Sequence, residues 1–214
     1  KPFFSIITPF FNAKKYFDLY LQKLKHQTYK NWECILIDDY SNDNGFEKLK
    51  LLTKNDQRIK VYKNPLYKSI KSPYQARNYG ITKAKGRYIS FLDIDDYWVK
   101  NMLMLKYEML NKNLDIDILF SNYIKVYNDS KPKKVVPLKI IPLQLQLKIH
   151  NPIGMSTSTV KEKLISNHKF KPVNHEDYLF WAELNKFNKK LNIEHINKFL
   201  AVYSISRTSI SANK

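Results

Sequence analysis

Residues 91–98 read FLDIDDYW, and this stretch decides which fold class the sequence predicts. It places three carboxylates, Asp93, Asp95 and Asp96, at the end of the apolar run 88–92. Continuous apolar runs of this kind are typical of strands that are buried on both faces of a parallel sheet. Carboxylates this close repel one another, and burying them costs free energy unless a cation offsets their charge. The stretch therefore predicts a buried strand with an acidic carboxyl end, and the rest of the chain suggests that a divalent metal with a phosphorylated ligand makes the crowding tolerable.

The first 125 residues alternate apolar strands with helices. Strands are predicted over 4–8, 34–37, 59–62, 88–92 and 116–120. Helices are predicted over 17–24, 46–52, 75–83 and 102–110. Pro9 is expected to end the first strand. Buried strands joined by crossover helices predict an α/β fold with a Rossmann-like, mostly parallel central sheet and helices on both faces.

Two acidic clusters fall where such a sheet binds its ligands, which is beyond the carboxyl ends of the strands. Asp38 and Asp39 follow the second strand, and the second cluster lies at 93–96. The first pair can form an Asx turn or accept a hydrogen bond from a nucleotide base. The second cluster can bind Mg²⁺ or Mn²⁺, which prefer oxygen ligands, or it can consist of turn and capping residues near Asn101. The residues alone leave both pairs of alternatives open.

After residue 127 the alternation stops. Four prolines at 132, 137, 142 and 152 interrupt a lysine-rich stretch, which is expected to be irregular and not a second independent domain. A strongly apolar helix is predicted over 177–187, and residues 204–214 are expected to form a polar, mobile tail. We expect a single domain over 1–214, divided into 1–125 and 126–214.

Composition narrows the class of protein. A hydrophobic fraction of 43% and an aromatic fraction of 14% argue against disorder. The single cysteine, Cys34, excludes an internal disulfide and lies in an apolar run, where a buried inert thiol is expected. There is no zinc-type spacing, no signal peptide and no apolar stretch near the ~20 residues of a membrane helix. A cytoplasmic protein, soluble or attached to a membrane surface, is expected.

The formal charge of +18 is large for a chain of 214 residues. Between Lys131 and Lys171 there are nine lysines and one acid, Glu162. Such a charge favours attraction to anionic lipid, to nucleic acid or to phosphorylated substrates. A solvated lysine-rich face is an equal alternative.

Two further positions combine polar chemistry with a predicted helix. Arg77 lies in the helix 75–83, where it can form a surface salt bridge or make a bidentate contact to a base or phosphate. Glu176 and Asp177 open an apolar helix, where an acid is favoured by the helix dipole. The same place at the mouth of a cleft suits a catalytic base.

Together these stretches resemble glycosyltransferases of family 2, which have the GT-A fold, over nearly the whole chain. The similar stretches are 5–12 (SIITPFFN), 27–33 (QTYKNWE), 37–41 (IDDYS), 76–81 (ARNYGI), 86–89 (GRYI) and 91–96 (FLDIDD). Tyr40 stands where the family usually has glycine. Each stretch is short, but their ordered set is specific to the family.

The resemblance implies an inverting transfer of a sugar from a nucleotide-sugar, with UDP-sugar as the expected donor and Mn²⁺ or Mg²⁺ as cofactor. The donor half is then 1–125, and the acceptor half is 126–214. The implied donor-binding residues are Pro9, Phe11, Asp39, Arg77 and Asp95. The implied metal ligands are Asp96, as the principal ligand, with Asp95 and Asp93. Asp177 matches the catalytic base, which takes the proton of the acceptor hydroxyl.

The C-terminal stretch 203–211 departs from the family pattern Y-R-x-H-x-x-S-x-S. Ser206 replaces the histidine, and we expect Arg207 to reach the diphosphate of the donor instead. The tail can serve as a lid over the donor. The expected acceptor is a glycan or a lipid-linked glycan of bacterial surface polysaccharide or lipopolysaccharide synthesis, at the inner face of an anionic membrane.

Two alternative functions share some of these features. A phosphatase of the haloacid dehalogenase type also carries Asp-x-Asp at a strand end, but in its first strand, whereas here three strands come earlier. A basic nucleic-acid-binding module is motivated by the charge, but no helix-turn-helix, zinc or RNP pattern is present, so nucleic acid is not the expected partner.

Overall fold

The structure is a computed structural model that describes residues 1–65, 73–127, 130–138, 140–188 and 190–205. The strands are β1 (Phe4–Phe10), β2 (Trp32–Asp38), β3 (Ile59–Lys63), β4 (Tyr88–Phe91), β5 (Tyr97–Trp98), β6 (Ile118–Tyr127), β7 (Ser130–Val135), β8 (Thr159–Lys161) and β9 (Ile193–Ile205). The helices are α1 (Phe17–Lys25), α2 (Gly45–Thr53), α3 (Tyr74–Lys83), α4 (Met102–Lys112), α5 (Leu143–Gln146), α6 (Glu162–Ile165) and α7 (Glu176–Phe187). Short 3-10 helices cover Lys14–Tyr16 and Met155–Thr157.

The described strands form one sheet in the order β3-β2-β1-β4-β8-β6-β9-β5, and β7 pairs with β6. The strands β1, β2, β3, β4, β6 and β9 run in one direction, and β5, β7 and β8 run antiparallel to their neighbours. The mostly parallel sheet confirms the predicted fold class. The short strand β8 lies between β4 and β6, so it closes the gap between the two parallel parts.

The first strand continues through Pro9, so the prediction that Pro9 ends it is wrong. Ile7 accepts a hydrogen bond from the backbone of Leu92, on the β4 side, whereas Phe10 is bonded on the β2 side. Because successive residues of a strand alternate in direction, the missing N–H of Pro9 faces the β4 side. The last pair of β1 with β4 is at Ile7, so no ladder bond is lost beyond it.

Apolar side chains pack on both faces of the sheet, as the sequence predicts. Helices α1, α2 and α4 cover one face, and α5, α6 and α7 cover the other. Successive residues of β1 alternate between the two clusters, with Ile6 in the first and Ile7 in the second. Helix α3 packs closely on the sheet at Gly80, where a Cβ atom would lie 2.5 Å from Cγ2 of Ile7. Cys34 is fully buried, which raises the pKa of its thiol to about 12 and confirms an inert role.

The second half is more regular than the sequence predicts. The lysine-rich stretch that was expected to be irregular contains β7 and β8, and β9 follows the predicted helix α7. The polar tail was expected from 204, but Ser204 and Ile205 belong to β9. Most of the predicted tail, residues 206–214, lies outside the described residues. In the part of the chain that the structure describes, no helix has the length and apolar character needed to span a bilayer.

Candidate active site

The site lies at the carboxyl ends of β1, β2 and β4. Asp39 directly follows β2 and is 2% exposed. Its backbone N–H donates to the carbonyl of Phe10 at 2.8 Å, and Asn64 donates from Nδ2 to its Oδ1 at 3.0 Å. The next residue, Tyr40, has a φ of 67°, in the left-handed region that favours glycine. The turn after Asp39 therefore keeps a glycine-type backbone although Tyr40 occupies the position.

The loops that follow β1 and β2 are tied together by reciprocal hydrogen bonds. The backbone N–H of Asn12 donates to Oγ of Ser41 at 2.9 Å, and the N–H of Asn42 donates to Oδ1 of Asn12 at 2.8 Å. Beside this link Phe11 is 52% exposed, so an aromatic ring stands at the rim of the site. The two loops thus form one wall, with Asp39 at its base.

The acidic cluster after β4 crowds three carboxylates into a largely buried place. Burial, and next the charge of Asp93, raise the pKa of Asp95 to about 6. Asp96 is 6% exposed, and its burial, with the charges of Asp93 and Asp95, raises its pKa well above the usual range. The three carboxylates therefore lie close together, and the neighbouring negative charges disfavour the ionisation of Asp95 and Asp96.

Ser156 connects this cluster to the rest of the site. Its hydroxyl donates to Oδ2 of Asp96 at 2.6 Å and accepts the backbone N–H of Asp93 at 3.0 Å. Its own backbone N–H donates to the hydroxyl of Tyr203 at 2.7 Å. The other oxygen of Asp96, Oδ1, accepts the backbone N–H of Ser204 at 3.1 Å. One buried serine thus orients the cluster and links it to the end of β9.

Arg77 joins the acidic cluster to helix α7. Its guanidinium donates to Oδ1 of Asp93 at 2.8 Å and to Oε1 of Glu176 at 2.9 Å. The side chain is 5% exposed and lies over the ring of Phe170 at 5.6 Å. Burial opposes its charge, but the two carboxylates outweigh that effect and raise the pKa of Arg77 above its usual range. Its Nε has no hydrogen-bond partner among the described residues.

Asp177 begins the same helix one residue after Glu176. It accepts a hydrogen bond from Nδ2 of Asn151 at 3.1 Å on its Oδ2. Burial raises the pKa of Tyr123 to about 12, and the charges of Asp177 and Asp96 add to this effect. The charges of the candidate base and of the acidic cluster therefore both raise the pKa of Tyr123, which places the two groups in the same site.

The carboxylates of the acidic cluster are candidate ligands for a divalent metal ion. Among the described residues, no three His, Cys, Asp or Glu side chains form a complete metal site. One oxygen of Asp93 bonds Arg77, and both oxygens of Asp96 accept hydrogen bonds. Mg²⁺-type ions are commonly held by one or two carboxylates together with substrate phosphates and water. The crowded carboxylates therefore fit an ion whose coordination a phosphorylated ligand completes.

The structure brings most of the predicted site residues to one edge of the sheet. Six of them lie at or just beyond the ends of β1, β2 and β4: Pro9, Phe11, Asp39, Asp93, Asp95 and Asp96. Asp177 lies at the start of α7. Arg77 reaches the same edge from α3. Arg207 lies outside the described residues.

Several residues of the site were missed from the sequence. They are Asn64, Asn151, Ser156 and Tyr203, each of which bonds a predicted site residue or its partner. No local pattern marks Asn64, Asn151 or Ser156, and the family pattern that Tyr203 begins does not indicate its contact with Ser156, because these roles depend on contacts between distant segments. Two polar residues of the resembling stretch 27–33 are instead part of the scaffold. Gln27 bridges to Val99 and Leu103, and Glu33 bonds Lys60.

The sheet is mostly parallel, and an Asp-x-Asp-Asp cluster follows the end of β4. This arrangement is the one expected of a nucleotide-sugar glycosyltransferase with the GT-A fold. Residues 5–191 match the family described as Glycosyl transferase family 2. A relative from Escherichia coli, UDP-Glc:alpha-D-GlcNAc-diphosphoundecaprenol beta-1,3-glucosyltransferase WfgD, is 36% identical over 212 residues, which cover 98% of this chain and 80% of WfgD. The putative teichuronic acid biosynthesis glycosyltransferase TuaG of Bacillus subtilis is 29% identical over 217 residues, which cover 100% of this chain and 83% of TuaG. The chain belongs to glycosyl transferase family 2.

Solved structures agree on the fold. The crystal structure of S. aureus TarS in complex with UDP-GlcNAc has a TM-score of 0.79 at 21% identity and covers 99% of this chain. A mannosyltransferase from Pyrobaculum calidifontis in complex with GDP-Man and Mn²⁺ has a TM-score of 0.73 at 11% identity and covers 99% of this chain. The chain spans 61% and 59% of the lengths of those two structures. At such identities the likeness establishes the GT-A fold.

Proposed function

We propose that this glycosyltransferase moves a sugar from a UDP-sugar to a hydroxyl of a lipid-linked glycan, with inversion at the anomeric carbon. The observation that carries the proposal is the bridge from Asp93 through Arg77 to Glu176. It joins the acidic cluster to the helix that begins with Glu176 and Asp177. A diphosphate site and a candidate base are thus held within one rigid network.

On the donor side, Asp39 accepts a hydrogen bond from the uracil base, and the backbone near Pro9 and Phe11 lines the base pocket. The burial of Asp39 and the bridged loops after β1 and β2 support these roles. Arg207 contacts the diphosphate. Arg77 supports nucleotide binding through Asp93, because its guanidinium is engaged by carboxylates within the protein.

Asp96 is the principal ligand of a Mn²⁺ or Mg²⁺ ion, and Asp95 and Asp93 assist it. The crowding that raises the pKa of Asp95 and Asp96 supports this assignment, because a cation relieves it. A bound ion would stabilise the negative charge on the diphosphate of the departing UDP. Ser156 holds Asp96 in one orientation, and such supporting contacts tune metal affinity.

Asp177 is the general base. As the acceptor oxygen forms its bond to the anomeric carbon, the bond from that carbon to the diphosphate oxygen breaks. The electron pair leaves with UDP, and the acceptor proton passes to Asp177. Asn151, which donates to Oδ2 of Asp177, orients the carboxylate so that its other oxygen can take the proton. Positioning and charge stabilisation then supply most of the catalysis.

The acceptor class follows from the relatives. The name of WfgD gives UDP-Glc as its donor and a diphosphoundecaprenol-linked GlcNAc as its acceptor. We assign 1–125 to nucleotide-sugar binding and 126–214 to acceptor binding and the C-terminal loop, in a cytoplasmic enzyme peripheral to an anionic membrane. No observation favours the phosphatase or the nucleic-acid-binding module.

Thermal unfolding with a panel of nucleotides and nucleotide sugars, each with and without Mn²⁺, tests the proposal. A ligand at about a hundred times its dissociation constant stabilises the fold by roughly 2.7 kcal/mol. We expect metal-dependent stabilisation by UDP or one UDP-sugar, and its loss in Asp96→Ala. Stabilisation by no nucleotide under any condition would reject the donor assignment.

A further inference from the structure

Between β7 and the site, the chain presents apolar side chains to water. The exposed apolar residues of this segment, which we call the 136–149 face, are Val136, Leu138, Ile140, Leu145 and Ile149. Ile140 is 96% exposed and Ile149 is 69% exposed. Isolated exposed apolar residues need no explanation, but contiguous ones indicate an interaction site.

A buried glutamine holds this face in shape. Gln146 is fully buried and donates from Nε2 to the carbonyls of Leu138 and Ile141 at 2.7 and 2.6 Å. Its Oε1 accepts the backbone N–H of Leu138 at 3.0 Å. Three directed hydrogen bonds therefore tie Leu138 and Ile141, on either side of Ile140, to one buried side chain.

Three residues of the face, Val136, Leu138 and Ile140, line an open hollow of about 500 Å³. The lining is mostly apolar and includes Val136, Leu138, Ile140 and Leu143, with His195 and Asn197 of β9 on the other side. An apolar rim around an open hollow can accept hydrocarbon, because burying it there removes apolar surface from water.

The charge beside the face has one sign. Lys131, Lys133 and Lys134 of β7 are exposed directly before it, and Lys148 is exposed within it. The sequence from 130 to 161 contains no aspartate or glutamate. An isologous contact with a second copy would bring these lysines against lysines, which is unfavourable. A surface of anionic headgroups over hydrocarbon complements both the lysines and the apolar residues.

The face is joined to the helix of the candidate base. Nδ2 of Asn185, in α7, donates to the carbonyl of Gln144 at 2.9 Å. The same segment continues to Asn151, which donates to Asp177. A surface that docks at the 136–149 face would therefore lie beside the acceptor side of the site.

We infer that the 136–149 face docks on an anionic phospholipid bilayer. The lysines of β7 contact the headgroups, and Leu138, Ile140 and Ile149 enter the interfacial region. This inference rests on the proposed function in one respect, since a lipid-linked acceptor is reached at a bilayer. It adds the side of the molecule by which the enzyme approaches that acceptor.

Co-sedimentation with vesicles tests the inference. Phosphatidylcholine vesicles with and without phosphatidylglycerol are titrated with the full chain at low and high salt. We expect the parent to bind the anionic vesicles at low salt. Ile140→Asp should need about tenfold more lipid for half binding. Replacement of Lys131, Lys133 and Lys134 by glutamine should weaken binding about a hundredfold at low salt, from roughly fivefold for each lysine.

Matched controls keep the test specific. Leu51→Asp changes a leucine of α2 that is 64% exposed, and a second variant replaces exposed Lys54, Lys85 and Lys112 by glutamine. Leu51→Asp should bind anionic vesicles like the parent. The triple lysine control should need no more than about twofold more lipid for half binding. An equal loss in these controls would reject a specific face and leave only general charge attraction.

Two other results would overturn the inference. One is no sedimentation of the parent with anionic vesicles at low salt. The other is vesicle-independent self-association that Ile140→Asp abolishes, which would make a second copy the occupant. Stabilisation by UDP and Mn²⁺ is measured on the same preparations. Its persistence in Ile140→Asp shows an intact donor site, and its absence in the parent would reject the proposed function separately.

Discussion

Arg77 holds Asp93 and Glu176 together across the site, with N–O distances of 2.8 and 2.9 Å. The arginine is in α3, the first acid follows β4, and the second opens α7. Sequence reasoning favours a contact between Arg77 and the nucleotide, yet the guanidinium is buried and engaged by the two carboxylates. Its main role is then to set the distance between the acidic cluster and the helix of Asp177.

Arg77→Met should lower the free energy of unfolding by about 3–5 kcal/mol, because it leaves two carboxylates without their buried partner. Chemical denaturation, followed by fluorescence or circular dichroism, measures the change. Arg87→Met is the matched control, since Arg87 is exposed and makes no ion pair that the structure records among the described residues. If both variants lost the same stability, the bridge would not be a significant part of the fold.

The two acids that open α7 should separate into different roles. Asp177→Asn should lower kcat by about a hundredfold to ten-thousandfold, because it removes the proton acceptor. The affinity for UDP with Mn²⁺ should stay near that of the parent, since the proposed role places Asp177 at the acceptor hydroxyl and not at the nucleotide. Steady-state kinetics and calorimetric titration of UDP measure the two effects.

Glu176→Gln is the control for that prediction. It keeps the shape of the side chain but removes the charge that pairs with Arg77. We expect a loss of stability and a smaller loss of kcat than in Asp177→Asn. A larger loss of kcat in Glu176→Gln would transfer the role of general base to Glu176.

Ser156→Ala should weaken metal-dependent UDP binding about tenfold to a hundredfold, because it frees Asp96 from its orienting hydrogen bond. Ser158→Ala is a close control. Ser158 is also fully buried, but its hydroxyl donates to the carbonyl of Met155 at 2.7 Å and not to the acidic cluster. Equal UDP affinity in the two variants would remove Ser156 from the binding machinery.

The parallel half of the fold is predictable because its strands are buried on both faces and therefore read as apolar runs. Strand β8 gives no such signal, since it is three residues long and follows the buried polar stretch 156–158. The aspartates of the acidic cluster are neighbours in the sequence, so their crowding is visible there. The bond from Ser156 to Asp96 spans 60 residues, and nothing in a run of serines and threonines indicates which hydroxyl makes it.

Asp95→Asn should stabilise the ligand-free protein at neutral pH. The pKa of Asp95 in the folded state is about 6, above its ordinary value of 3.8, so the folded state is destabilised when the group ionises. This destabilisation is fully present above pH ~6 and disappears as the pH falls to the unfolded value near 3.8. Thermal unfolding from pH 4 to 8 should show a Tm gain that is largest above pH ~6.

The same variant should lose part of its stabilisation by UDP and Mn²⁺, because one carboxylate of the cluster is gone. A gain of about 1 kcal/mol would raise Tm by roughly 2–4 °C in a chain of this size. If Asp95→Asn were less stable than the parent above pH 6, the crowding of carboxylates would not be the dominant effect at this position.

Lys106 gives the free energy of unfolding a second dependence on pH. Among the described residues, the structure records no carboxylate partner for this lysine. Its side chain is fully buried, and Nζ donates to Oγ1 of Thr159 at 2.7 Å. Burial lowers the pKa of this amine well below its ordinary value of 10.5. The folded state therefore binds fewer protons than the unfolded state below pH 10.5, so the group destabilises the fold at neutral pH.

Lys106→Met should remove that cost while it keeps the volume of the side chain. Its gain in unfolding free energy over the parent should be larger at neutral pH and should shrink as the pH rises to 10.5, above which the parent's lysine becomes neutral in both states. Lys112→Met, at an exposed position of the same helix, should show no such pH-dependent difference. Urea denaturation of both variants at pH 7 and pH 9.5 measures the effect. A constant difference between Lys106→Met and the parent across that range would mean that hydrogen bonding to Thr159, and not the desolvation of the charge, governs this position.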